Sequence, residues 1–134
     1  MDGYAHVDLT EKIIGAAIHV HRELGPGFGE SVYENALRHE LGKRGLHVEQ
    51  QRVFPILYDG VHVGRHRIDL IVEGSVLIEL KAVEDLIPLF TAQVLSYLRV
   101  TKLEVGLLIN FNERVLKDGL KRIALSENQE RRPG

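Results

Sequence analysis

Asp69, Glu79 and Lys81 are spaced as acid, acid, any residue, lysine within Arg67-Ile68-Asp69-Leu70-Ile71-Val72-Glu73-Gly74-Ser75-Val76-Leu77-Ile78-Glu79-Leu80-Lys81. Two apolar runs flank Gly74-Ser75, a turn signal, so the segment reads as two strands of a hairpin. Side chains alternate along a strand, which sends Glu79 and Lys81 to one face and Ile78 and Leu80 to the other. Pairing of the two strands brings Asp69 beside them. A sheet has no structural need for two carboxylates and an ammonium there, whereas phosphodiester hydrolysis uses that trio. The alternative is a surface hairpin with Glu79 and Lys81 on its solvated face. Asp69 and the apolar flanks favour the chemical reading.

Attack on a phosphodiester builds charge on the non-bridging oxygens and on the leaving alkoxide. A hard divalent cation offsets that charge and lowers the pKa of a bound water. Mg²⁺ prefers oxygen ligands and keeps several waters, so one or two carboxylates plus substrate phosphate suffice. Asp69 and Glu79 are the expected ligands of Mg²⁺ (or Mn²⁺), and the Leu80 carbonyl could reach the same ion. Lys81 is expected to position or deprotonate the attacking water, or to offset charge in the transition state.

The surrounding chain must position these residues. Asp8-Leu9-Thr10-Glu11 has the spacing of a capping box, opening a helix to about Leu24, with Ile14, Ala17, Ile18 and His21 on one face and Gly25-Pro26 as its stop. His21 falls on that apolar stripe and reads as a satisfied buried histidine rather than a ligand. A second helix is expected from Glu30 to Arg44, with Val32, Ala36, Leu37 and Leu41 as its stripe. Strands follow over Val48 to Tyr58 and Val61 to Glu73, joined at Asp59-Gly60, a strong hairpin signal. Val76 to Lys81 completes the meander. A helix from Leu89 to about Val100 leads to a buried strand, Val105 to Phe111, and a short strand near Leu120 to Leu125 closes the order. That helix is a crossover, so the strands on either side of it should be parallel. The expectation is one α/β domain over residues 1–125, with the polar tail 126–134 disordered.

Gly27-Phe28-Gly29-Glu30-Ser31-Val32-Tyr33 matches the pattern G-x-x-E-x-x-Y, and Gln93 and Tyr97 follow Glu79-Leu80-Lys81 on the crossover helix. From about Leu9 to about Leu125 the chain resembles the GxxExxY proteins. These are a branch of the PD-(D/E)xK nucleases, similar to RecB-type and Holliday-junction-resolvase members. Ile68 stands where the superfamily's name has proline. The resemblance implies a restriction-endonuclease-like α-β-β-β-α-β core, a mixed sheet flanked by helices, with an extra N-terminal helix. It implies Glu30 as a third carboxylate at the metal, against first-turn dipole electrostatics as the plain alternative. By the same resemblance Gln93 contacts the lysine or the DNA, Tyr97 supports substrate binding, and the protein can dimerise. Tyr33, one turn after Glu30, either hydrogen-bonds near the site or packs. Arg65 and Arg67 are expected on Asp69's strand face, as phosphate clamps or as partners of local acids.

Composition is nearly neutral on function. A chain of 134 residues has room for one core, and its 44% hydrophobic and 27% charged residues are those of a soluble protein. The absence of cysteine excludes disulfides, zinc-thiolate sites and cysteine-bound iron-sulfur clusters. No run is long enough for a membrane span, and Met1-Asp2-Gly3-Tyr4 opens no signal peptide, so the expected location is cytoplasmic. The net charge of −2 argues mildly against sequence-independent binding of polyanions. The leading expectation is a metal-dependent nuclease acting on DNA, with RNA open as a substrate. Its rivals are a non-catalytic nucleic-acid-binding or protein-interaction module on a nuclease fold, and a hydrolase of another phosphate ester.

Overall fold

A computed structural model describes residues 5–125, so the tail 126–134 and the first four residues lie outside the described chain. Helices α1 (Val7–Leu24) and α2 (Glu30–Lys43) precede strands β1 (Val48–Tyr58), β2 (Val61–Val72) and β3 (Val76–Lys81). Helix α3 (Pro88–Thr101) then leads to β4 (Val105–Asn110), a 3₁₀ turn (Leu116–Gly119) and β5 (Leu120–Ala124). The sheet runs in chain order, β1-β2-β3-β4-β5, and every pair is antiparallel except β3–β4. The parallel pair is the one joined through α3, as a crossover demands. This mixed sheet between helices is a restriction-endonuclease-like arrangement.

Both faces of the sheet are covered. On one, Ile13, Ala17, Val20, Leu37 and Leu41 of α1 and α2 pack on Leu70, Val72, Ile78, Leu80, Leu107 and Ile109. On the other, Val94 and Leu98 of α3 pack on Ile68, Ile71, Leu77, Leu108 and Ile123. β3 and β4 are therefore buried from both sides, which explains their continuous apolar runs. Within them only Glu79 and Asn110 are polar and buried. Helix α3 comes very close to β4 at Gly106, where an added Cβ would stand 2.8 Å from Val94 Cγ1. No helix among the described residues is long and apolar enough to cross a membrane.

Several local expectations change. The capping box does not form: His6, in left-handed backbone, is the N-cap of α1, and no side chain caps the helix. Starting at Val7 places Asp8 inside the first turn, where its charge still favours the helix dipole. The buried stripe of α1 is centred on Ile13, Ala16, Ala17 and Val20, with Ile14 and Ile18 at its margin. On α2 the stripe is rotated, so Val32 is 39% exposed while Tyr33 and Glu34 turn inward. The β2–β3 turn is centred on Glu73-Gly74, both with positive φ, rather than on Gly74-Ser75. Positive φ at both central residues suits the twist of a tight hairpin, and Asp59-Gly60 repeats the arrangement.

Candidate active site

The site forms where β2 and β3 part. Their ladder is regular through Val72↔Val76, Ile71↔Leu77 and Leu70↔Ile78, and stops there. At the next position two carboxylates take the place of carbonyl acceptors. The Asp69 N–H donates to Glu79 Oε1 (3.4 Å), and the Leu80 N–H donates to Asp69 Oδ2 (3.0 Å). Each acid thus holds the backbone of the opposite strand, and the two are brought together by the divergence itself. Strand alternation also slips here: Ile68 and Ile71, three apart, both pack on the α3 side. The common face expected for Arg65, Arg67 and Asp69 is interrupted by that slip. Arg65 and Arg67 are exposed, opposite Pro55 and Val53 on β1.

Burial sets the electrostatics. Glu79 is 6% exposed. Loss of water is the main cause raising its pKa to about 8, and the Asp69 charge adds to it, partly opposed by the Asp69 N–H and by Lys81. Desolvation likewise raises Asp69 to about 6, against the Leu80 N–H bond and with help from the Glu34 charge. Two acids that resist ionising together are a cation's opportunity, because a nearby positive charge removes both penalties.

Lys81 stands on the α3 side, its ammonium 4.4 Å from the centroid of the Phe90 ring. His66 stacks on Tyr97 with centroids 3.9 Å apart, and its imidazole pKa is lowered by burial and then by Lys81. The pKa of the Tyr97 hydroxyl is raised by burial and then by the charges of Glu79 and Asp69. Gln93, one turn before Tyr97 and half-buried, makes no side-chain hydrogen bond among the described residues. Beyond Tyr97, a groove of about 700 Å³ runs between Pro55, Leu57, Val100 and Leu103, and neither Asp69 nor Glu79 lines it.

The two named residues of α2 have different surroundings, and of the two expectations for Tyr33 packing is the one found. Tyr33 is fully buried, donating to the Gly25 carbonyl (2.6 Å), accepting from the Phe28 N–H (3.1 Å) and stacking on Phe111. It fastens the Gly25–Gly29 connection and has no surface for nucleic acid. Glu30 is exposed at the start of α2, and its charge is the smallest of the causes that raise Asp69 and Glu79. Among the described residues no three His, Cys, Asp or Glu side chains are grouped to hold a metal. His21 is the satisfied buried histidine expected, its Nε2 2.6 Å from the Glu113 carbonyl.

Other residues of the site escaped sequence reasoning. Glu34 is only 9% exposed and accepts from Gln50 (2.6 Å) and Gln51 (2.8 Å). Gln51 also donates to Asp69 Oδ1 (3.3 Å). Asn110, fully buried at the end of β4, accepts from the Val83 N–H and donates to the Val83 carbonyl, fixing the loop after Lys81. A polar residue closing an apolar strand was the one available signal for it.

Comparison with known proteins decides the family. The PD-(D/E)XK nuclease superfamily matches residues 7–123. The chain belongs to that superfamily. Neither a curated protein nor a solved structure matches it. Members of the PD-(D/E)XK superfamily generally hydrolyse phosphodiesters and use Mg²⁺ or Mn²⁺. The donor set here fits such a cation: two hard carboxylates, adjacent, and each raised in pKa by burial and by the other or by Glu34. Two protein ligands are enough for Mg²⁺, whose remaining positions go to water and phosphate.

Proposed function

We propose that this protein is a divalent-cation-dependent nuclease hydrolysing the phosphodiester bonds of DNA, from the GxxExxY branch of its superfamily, built as one domain over residues 1–125. The observation that carries the reading is the pairing of Asp69 with Glu79 where β2 and β3 separate, with Lys81 two residues on. Asp69 and Glu79 would hold the cation, and the Leu80 carbonyl lies between Glu79 and Lys81 to assist. When bound, the ion supplies charge stabilisation and an acidified water.

The chain's own groups do the rest. The Leu80 N–H and the Gln51 amide fix the Asp69 carboxylate, so its remaining lone pairs keep a set direction. Lys81 is held from the α3 side by the Phe90 face and carries a proton or a positive charge to the reacting phosphate. Tyr97, stacked on His66, closes that side and limits water. Arg65 and Arg67, exposed on the outer ribbon, would meet the phosphate backbone.

Cleavage of plasmid, linear, single-stranded and branched DNA is the test, with Mg²⁺ or Mn²⁺ and with EDTA. Metal-dependent cleavage that Lys81→Ala abolishes is the expected result. Full cleavage in chelator would sink the mechanism. Tight binding of nucleic acid without cleavage of any substrate would replace it with the binding-module reading.

A further inference from the structure

Five non-glycine residues among those described have positive φ, and four of them lie at helix ends or in turns: His6, Asp59, Glu73 and Lys102. Gln51 (φ 55°) alone sits inside a strand. Left-handed backbone disfavours a side chain unless the surroundings hold it there. The β1–β2 ladder is in register on either side, Gln50↔Leu70 and Arg52↔Ile68, yet Gln51 and Asp69 leave it between those pairs. The distortion therefore gains or loses no residue; it turns Gln51.

The turn has a consequence for direction. Consecutive strand residues ordinarily point to opposite faces. Here Gln50 and Gln51 both reach α2. Gln50 Nε2 donates to Glu34 Oε2 (2.6 Å) and Asn35 Oδ1 (2.8 Å). Gln51 Nε2 donates to Glu34 Oε1 (2.8 Å) and Oε2 (3.0 Å), and to Asp69 Oδ1 (3.3 Å). An amide nitrogen has two hydrogens, so one serves Glu34 and the other Asp69. With the Leu80 N–H on Oδ2, both Asp69 oxygens are directed.

We propose that Gln51 is a positioning residue that presents Asp69 to a divalent cation, itself held by Glu34, with its left-handed backbone as the means of reaching both. The proposal rests on the reading of Asp69 as a metal ligand. Groups that orient a ligand from behind set metal affinity, typically by 10–100-fold. Glu34 orients Gln51 and touches no cation in this arrangement.

The experiment is calorimetric titration of Mn²⁺ into substrate-free protein, alongside a melting curve, for wild type, Gln51→Gly, Gln51→Asn and Asp69→Asn. Glycine adopts left-handed backbone freely, so Gln51→Gly removes the amide and keeps the chain path. Its melting temperature should not fall, while Mn²⁺ affinity should weaken about 10–100-fold. In cleavage, the Mn²⁺ concentration for half-maximal rate should rise by a similar factor, with much of the rate recovered at saturation. Asparagine also tolerates this backbone and shortens the amide by one methylene, so Gln51→Asn should weaken binding likewise; it decides the matter if the glycine variant does not fold. Affinity within about twofold of wild type in a folded Gln51 variant overturns the proposal, as a merely structural glutamine would behave that way. Loss of binding in Asp69→Asn together with that result leaves the metal site standing and removes only Gln51. Unchanged binding in Asp69→Asn removes both.

Discussion

The two halves of β2 share one strand and almost nothing else. From Val61 to Arg67 it pairs only with β1, and its side chains, except the half-buried His66, are exposed. From Ile68 to Val72 it approaches the sheet interior, joins β3 at Leu70, and is buried at every position but Asp69. Asp69 stands at the border. Two residues before it, Arg67 keeps its water; at Asp69, burial and a neighbouring acid are enough to alter the proton affinity of a carboxyl. The lesson is that a strand leaving a sheet provides what a reactive carboxylate needs. The buried side raises its energy, and the open side lets a cation or phosphate reach it.

The sharpest test of this contrast is chemical. Lys81→Ala, at the same border on β3, should lower cleavage by about 10²–10⁴-fold, while Mn²⁺ affinity measured by calorimetry stays near wild type or improves. An equal loss from an alanine on the outer ribbon would mean that the chemistry is not confined to the border.

Next in size is packing. Leu70→Ala, in the inner half of β2, should cost about 2–5 kcal/mol in denaturant unfolding. Val63→Ala on the outer ribbon, 58% exposed, should stay within about 0.5 kcal/mol. Comparable values for the two would erase the distinction between the halves.

A smaller effect has the opposite sign. Both site acids bind their protons more tightly when folded, Asp69 moving from 3.8 to about 6 and Glu79 from 4.5 to about 8. The folded chain therefore holds more protons than the unfolded one between pH about 4 and 8, and metal-free stability falls as pH rises through that window. Asp69→Asn should raise metal-free stability at pH 8 by about 0.5–2 kcal/mol and flatten the lower part of the pH dependence. Saturating Mg²⁺ should raise the wild-type melting temperature and the variant's far less. A variant that melts lower in EDTA and gains as much from metal would take Asp69 out of the site.

The smallest effect belongs to the outer ribbon. Arg65→Ala and Arg67→Ala should leave melting unchanged and weaken DNA binding uniformly across sequences. Each should reduce the slope of log affinity against log salt by about one, measured by fluorescence anisotropy. Unchanged slopes would separate the ribbon from the substrate.

How much of this was written in the sequence depends on the range of the interaction. The β3 run, the crossover and the Asp59-Gly60 turn are local patterns of period and turn chemistry and appear where expected, while the β2–β3 turn is displaced by one residue. Asp69 and Glu79 meet because their strands are adjacent in the chain. Tyr33 was legible only as a choice between two roles and Glu34 not at all, because which face of α2 turns inward is decided by Phe111 and by the glutamines of β1, distant in sequence. Gln51 gives no sign of positive φ, since nothing near it is a turn and its reward comes from two acids on other elements. The capping box failed for a simpler reason: His6 nucleates the first turn before Asp8 is reached.

One property of the sheet reaches into the history of the molecule. Its strands lie side by side in the order of synthesis, so each new strand finds its neighbour already made. Such local topology favours rapid folding, and domains emerging from the ribosome can begin to assemble before the chain is finished. Asp69 and Glu79 can therefore meet as soon as the β2–β3 hairpin closes, while α3 and β4 are still to come. The acids would face each other first in water, where they repel weakly. The later arrival of α3 and β4 shuts water out and turns a tolerable encounter into a strained one.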